Sequence, residues 1–179
     1  MRSSEFSPGS SRELTPETYR GPTWRHIPAS GEALNLHHIL HANGRWNRSG
    51  LYGALYLSMS SAGARAEWRK YRDGAIPNVD PPRDLVEIHV AVRPVLDLTD
   101  PDVVKALGVP PGLLVSDGEK ALDTCHEIAD WARSADFAAI RYESAAGAEA
   151  DNLAIYPDVV RPQNVRLEEV DRQPLNYEP

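Results

Sequence analysis

The chain has 179 residues, which at ~100–200 residues per domain gives room for one domain with tails and not for a second catalytic domain. Its 41% hydrophobic and 25% charged residues supply a core and exclude wholesale disorder. Lys plus Arg number 19 against 26 Asp plus Glu, and the formal charge of −7 argues against direct nucleic-acid binding; the one cysteine, Cys125, excludes a disulfide framework and a cysteine-based zinc cluster.

Residues 1–21 carry Ser3, Ser4, Ser7, Pro8, Gly9, Ser10, Ser11 and Pro16, with Phe6 and Leu14 the only large apolar side chains before Tyr19, and read as a flexible leader. The folded domain is expected over 22–160. Within it, Ala54 to Leu57 reads as a short strand and the alanine-rich stretch from Ser60 to about Tyr71 as a helix. From Leu85 to Arg93, Val86, Ile88, Val90 and Val92 alternate with Glu87, His89 and Arg93, the pattern of a half-buried strand, expected to end before Pro94. Asp100, Pro101 and Gly108 supply the cap, first-turn proline and terminal glycine of a short helix. Ser116 and Glu119 have capping-box spacing ahead of Ala121, Leu122, Cys125, Ile128, Ala129 and Ala132, which recur at helical spacing. Phe137 to Tyr142 and Leu153 to Tyr156 read as strands. Residues 161–179 form a charged extension in which Val165, Leu167 and Val170 suit one edge strand. Strands and helices mix without regular alternation, so an α+β domain with a mixed or antiparallel sheet and flanking helices is expected.

Several chemistries lack their motifs: there is no GxGxxG, GxxxxGK[ST], HExxH or GxSxG. His37 and His41 have i,i+4 spacing beside His38, but no carboxylate or further histidine completes a metal site, so no metal is expected. Cys125 falls on the apolar stripe of its helix and reads as a small buried hydrophobe. The informative stretch is Asn43-Gly44-Arg45-Trp46-Asn47-Arg48-Ser49-Gly50, then Leu55-Tyr56-Leu57-Ser58 and Glu67. Glycines let backbone bend closely, Arg45 offers a five-donor fork for phosphate or carboxylate, and Tyr56 offers a stacking face. By themselves these residues favour a surface loop with a salt-bridged arginine, a core tyrosine and a solvated glutamate over an anion site.

The ordered set of Gly44-Arg45-Trp46-Asn47, Leu55-Tyr56-Leu57-Ser58, Glu67, Ala129-Asp130-Trp131, Tyr142-Glu143-Ser144-Ala145 and Asn152-Leu153 resembles the RES domain family. The resemblance starts near Thr23, where Trp24-Arg25 is similar to the family's opening strand, and runs to about Pro157. It implies an ADP-ribosyltransferase-like fold and a toxin of a type II toxin–antitoxin system that destroys NAD⁺ by phosphorolysis or hydrolysis of the nicotinamide–ribose bond. Arg45, Glu67 and Ser144 match the family's catalytic arginine, acid and serine; Tyr56 matches its tyrosine and Arg25 a second arginine. Glu67 is then expected to hold the ribose and its developing positive charge, and Arg45, with Arg25, to clamp the diphosphate or an attacking phosphate. Tyr56 is expected to stack on nicotinamide, and Ser144 to bond either the nicotinamide amide or the nucleophile. Asn47 and Asn152 join the substrate-binding group, with loop fixing as their structural reading.

Three positions depart from the family pattern. Asn43 stands where a second glycine often precedes the arginine; Arg48 replaces a common proline and is expected to face solvent; Glu143 stands where a small or apolar residue tends to precede the serine. The resemblance also implies NAD⁺ as substrate with no prosthetic cofactor, inorganic phosphate as co-substrate, and a cognate antitoxin with an Xre-like DNA-binding region. Any DNA contact then belongs to that partner, a homodimer within the complex is compatible with it, and the chain is expected in the cytoplasm with no membrane segment. Two other readings stand beside this one: a mono-ADP-ribosyltransferase, which breaks the same bond for a protein acceptor, and a non-catalytic RES-like module that binds a nucleotide or a partner.

Overall fold

A computed structural model of the chain describes residues 14–35, 39–75, 82–147 and 150–175. Among these the order is β1 (Glu17–Pro28), β2 (Leu55–Ser58), α1 (Ser61–Ala75), β3 (Arg83–Asp97), α2 (Pro101–Ala106), a 3-10 turn (Leu113–Val115), α3 (Glu119–Ser134), β4 (Ala139–Glu143), β5 (Asp151–Ile155) and β6 (Val165–Pro174). The result is a mixed α+β domain. None of the described helices is long and apolar enough to cross a membrane.

Strand pairing runs in a closed ring, β1–β2–β5–β4–β3 and back to β1, with β6 added on β3. The long β3 makes this possible. Its first two-thirds, Arg83 to Val92, lies antiparallel between β1 and β6, and its end, Val95 to Asp97, pairs in parallel with Ala139 to Arg141 of β4. The strand therefore passes through the cis Arg93–Pro94 bond instead of ending before it. Proline cannot donate to a ladder, and here it sits where β3 passes from one set of partners to the next.

The inner strands β4 and β5 bury both of their faces. On β4 and β5, Ile140, Tyr142 and Ala154 meet α3, joined by Tyr156 just beyond β5, while Ala139, Leu153 and Ile155 meet Leu57, Val86, Ile88 and Val90 inside the ring. That double burial is why these strands read as continuous apolar runs. Helix α3 approaches the sheet closely because its inner stripe is small: Ala121, Cys125, Ala129 and Ala132 are buried with Ile128, whereas Leu122 lies outside. The capping box does not form. Ser116 Oγ donates to Leu113 O at 2.8 Å, closing the 3-10 turn, and α3 starts at Glu119 after Gly118. Asp100 does cap α2, accepting from Asp102 N at 2.8 Å, and Gly108 follows with φ +70. At the N-terminal end β1 begins at Glu17, so the last five residues of the expected leader, Glu17 to Gly21, are strand paired on β3. The expected C-terminal edge strand is β6.

Candidate active site

Helix α1 begins under the cap of Ser60, whose Oγ accepts from Gly63 N at 2.9 Å. A side chain at Gly63 would collide with Ser58 Oγ and stand 3.1 Å from Ala150 Cβ, so glycine lets α1 start directly against β2. One turn on, the same helix face delivers Glu67 over β5. Glu67 Oε1 accepts from Ser144 Oγ at 2.7 Å and from Asn152 Nδ2 at 2.8 Å. Ser144 in turn accepts from Ala146 N at 3.1 Å, which fixes its hydroxyl, and Asn152 is buried at 4% exposure. Two side chains distant in sequence thus converge on one oxygen of the Glu67 carboxylate, leaving Oε2 for a ligand. Lys70, on the adjoining face of α1, donates to Ala145 O at 3.0 Å and ties the helix to the same loop.

The Gly44 to Asn47 loop forms the second half of the site. Asn47 is fully buried: its Nδ2 donates to Ala42 O at 2.7 Å and Tyr52 O at 3.3 Å, and its Oδ1 accepts from Tyr56 OH at 2.8 Å. Tyr56 OH accepts from Trp46 N at 2.9 Å, so phenol and amide close the loop between them. Burial pushes the Tyr56 phenol well above its ordinary value. Gly44 lies against this pair, and its carbonyl is 3.0 Å from His126 Nε2. Arg45 Nη1 donates to Leu114 O and Ser116 O, each at 2.9 Å, while Nη2 lies 3.5 Å from the highly exposed Asp117. Asp117 is also 3.6 Å from Lys70 Nζ, so it bridges the two cations at the surface.

Tyr142 connects the halves. It is buried, its ring centroid is 5.1 Å from that of Trp46, and burial raises its phenol well above the usual range, with Tyr56 and Glu67 adding to the shift. Cys125 beneath Arg45 is fully buried, and burial raises its thiol to about 11, which leaves it an inert packing residue.

The structure therefore brings Glu67, Ser144 and Asn152 into direct contact and groups Arg45, Asn47 and Tyr56 into one hydrogen-bonded loop. Asn47 and Tyr56 spend their polar atoms inside that loop. Arg25 stands apart: it alternates along β1 with Trp24 and His26, the two that pack toward Trp68 of α1, and its Nη1 donates to Ala33 O at 2.8 Å. No described contact joins it to Glu67. Burial and the nearby Arg83 lower its guanidinium to about 10. Arg83 lies beside α1 instead, 4.6 Å over the Trp68 ring, with Nη2 2.7 Å from His26 Nδ1. Arg48 stays partly exposed but is paired and not free in solvent: its Nε donates to Asp130 Oδ2 at 2.8 Å, and Tyr52 OH donates to Asp130 Oδ1 at 2.7 Å. His37 and His38 lie outside the described residues, and His41 is exposed. Lys70 and Asp117 are site residues that the sequence did not single out, and Tyr142 stood in the resembling run without an assigned role. Lys70 was within reach, three residues after Glu67, whereas Asp117 carries no local signal.

Fold and site together define a small α+β domain built around a hydrogen-bonded carboxylate flanked by cations. The RES domain family model matches residues 16–178, and this chain belongs to that family. Its fold is similar to that of a chain in the crystal structure of the M. tuberculosis MbcT–MbcA toxin–antitoxin complex, with a TM-score of 0.71 and 21% identity over 88% of this chain and 85% of that one. No curated protein matches the sequence.

Proposed function

We propose that this protein is an NAD⁺-degrading toxin that breaks the nicotinamide–ribose bond, with water or inorganic phosphate as acceptor, and that a cognate antitoxin neutralises it in the cytoplasm. The observation that carries the reading is Glu67, with Oε1 held by Ser144 and Asn152 and Oε2 left for a ligand. Breaking this bond sends nicotinamide away with the bonding electron pair as a neutral molecule and builds positive charge on the ribose. A carboxylate fixed in one rotamer beside that ribose stabilises the charge without having to reorganise. Water or phosphate then adds an oxygen to the anomeric carbon, losing a proton when water attacks.

Ser144 and Asn152 act on this reading as the residues that aim Glu67. Arg45 fixes the 114–116 backbone with Nη1 and keeps the edge facing the exposed Asp117 for a phosphate oxygen. Asn47 and Tyr56 hold the loop that presents Arg45. The fold likeness to a chain of a toxin–antitoxin complex supports an antitoxin partner, and the Xre-like region, a homodimer within that complex and an ADP-ribosyltransferase-like ancestry remain part of the proposal.

The test is incubation of the purified chain with NAD⁺, with and without phosphate, resolving nicotinamide, ADP-ribose and its 1″-phosphate by chromatography. Glu67→Gln keeps the shape and removes the charge, and is expected to lower nicotinamide release by ~10²–10³. Equal release by wild type and Glu67→Gln would overturn the assignment, and label retained on protein would redirect it to a transferase.

A further inference from the structure

Next to the Glu67 group lies a cavity of about 600 Å³ between α2, the 3-10 turn and the end of β4. Leu98, Val104, Val109, Leu114 and Val115 give it mostly hydrocarbon walls, and the exposed Lys105 and Glu143 are the charged residues that line it. Its volume is within the ~300–1,000 Å³ of small-molecule sites, whose walls are likewise apolar with few polar groups. It is contiguous with the site already described. Tyr142 lines the cavity and packs on Trp46 of the Arg45 loop, their ring centroids 5.1 Å apart. The carbonyl of Leu114, another lining residue, is one of the two that hold Arg45. The two neighbours at the end of β4 divide the work: Ser144 turns its hydroxyl to Glu67, and Glu143 lines the cavity.

An apolar slot opening beside a carboxylate–arginine site suits a flat, weakly polar ring system joined through a charged linker to the reacting sugar. Resting on the reading of NAD⁺ as substrate, we infer that this cavity receives the adenosine half of the dinucleotide, with Glu143 accepting from the 2′-hydroxyl of the adenosine ribose. Hydrocarbon from α2 and the 3-10 turn covers the purine. A carboxylate beside a phosphate would repel it, whereas beside a ribose diol it accepts a hydrogen bond and excludes a 2′-phosphate. The unusual glutamate before Ser144 thereby selects NAD⁺ against NADP⁺.

The experiment pairs calorimetric binding of AMP with kcat/KM for NAD⁺ and NADP⁺, on wild type, Val104→Trp and Glu143→Gln. Wild type is expected to bind AMP. Val104→Trp fills the cavity, abolishes AMP binding and raises the KM for NAD⁺ about tenfold or more, a larger effect than on kcat. Glu143→Gln, isosteric and exposed, is expected to narrow the preference for NAD⁺ over NADP⁺ by about 10–100-fold, and carries the test alone if Val104→Trp fails to fold. Unchanged AMP binding in Val104→Trp, or an unchanged preference in Glu143→Gln, overturns the subsite even where nicotinamide release is normal. Wild type that binds AMP, loses that binding in Val104→Trp, and itself releases no nicotinamide sustains the subsite and overturns the enzymatic reading instead.

Discussion

Replacing Gly44 with alanine tests whether the Asn47–Tyr56 pair holds the site together. A Cβ at that position would stand 2.6 Å from Asn47 Oδ1 and 2.7 Å from Tyr56 Cζ, closer still to the Tyr56 hydroxyl, against an ordinary contact distance of at least 3.4 Å. The phenol and the amide must therefore withdraw by about 0.7–1.1 Å to reach that distance. They cannot do so and keep both the 2.8 Å bond to Asn47 Oδ1 and the 2.9 Å bond from Trp46 N. Overpacking costs ~1–3 kcal/mol, and each disrupted hydrogen bond adds ~0.5–1.5 kcal/mol. With both bonds disrupted a loss of about 2–6 kcal/mol follows, or about 4–24 °C in Tm at this chain length. Gly50 is the control: it has φ +77 and nothing within 4 Å of an added Cβ, so Gly50→Ala bears only the left-handed backbone penalty of ~1–2 kcal/mol. Thermal and urea melts of the two variants, with nicotinamide release measured alongside, decide the matter. A Gly44→Ala protein that melts within 1 °C of wild type, or no lower than Gly50→Ala, refutes the loop-closure argument.

Asp130→Ala strips the partner from both Arg48 Nε and Tyr52 OH, and is expected to cost ~1–3 kcal/mol, read as a lower urea midpoint at unchanged slope. Asp130→Asn keeps one acceptor and should recover part of the loss. Acid stability gives a separate check. Burial, with Arg83 and Arg25 adding to it, lowers His26 to about 3, so the folded protein resists a proton that the unfolded chain takes near pH 6.5. Stability from this group is full above that pH and is lost as pH falls from 6.5 toward 3, with about 1 kcal/mol lost by pH 5.5. His26→Gln should flatten that part of the pH–stability curve, and an unchanged slope would refute the burial argument.

How much of this was legible beforehand depended on whether the signal was local. Period-2 alternation gave β3 its buried face, and the Asp100, Pro101 and Gly108 trio gave α2 its ends, because alternation and capping involve neighbours in sequence. Where a tertiary partner competed, local patterns failed. Ser116 bonded Leu113 O in the 3-10 turn instead of capping α3, β3 ran on through Pro94 because β4 waited beyond it, and Glu17 to Gly21 joined a strand that composition read as leader.

The candidate site divides in the same way. The ordered residues named Glu67, Ser144 and Asn152, but that Ser144 and Asn152 donate to the same carboxylate oxygen, 77 and 85 residues away in sequence, is a property of the closed strand ring and of Gly63 seating α1 on β2. Residue type and the family resemblance suggested Tyr56 as a stacking face, Arg25 as a clamp and Arg48 as a solvent-facing charge. The fold tied Tyr56 into the Asn47 loop, set Arg25 on Ala33 O and paired Arg48 with Asp130. The sequence by itself determined which side chains can carry charge, bend backbone or fill a core, since those are properties of single residues and their neighbours. Only the tertiary structure decided which donors meet which acceptors, because that depends on distances between segments that no local pattern encodes.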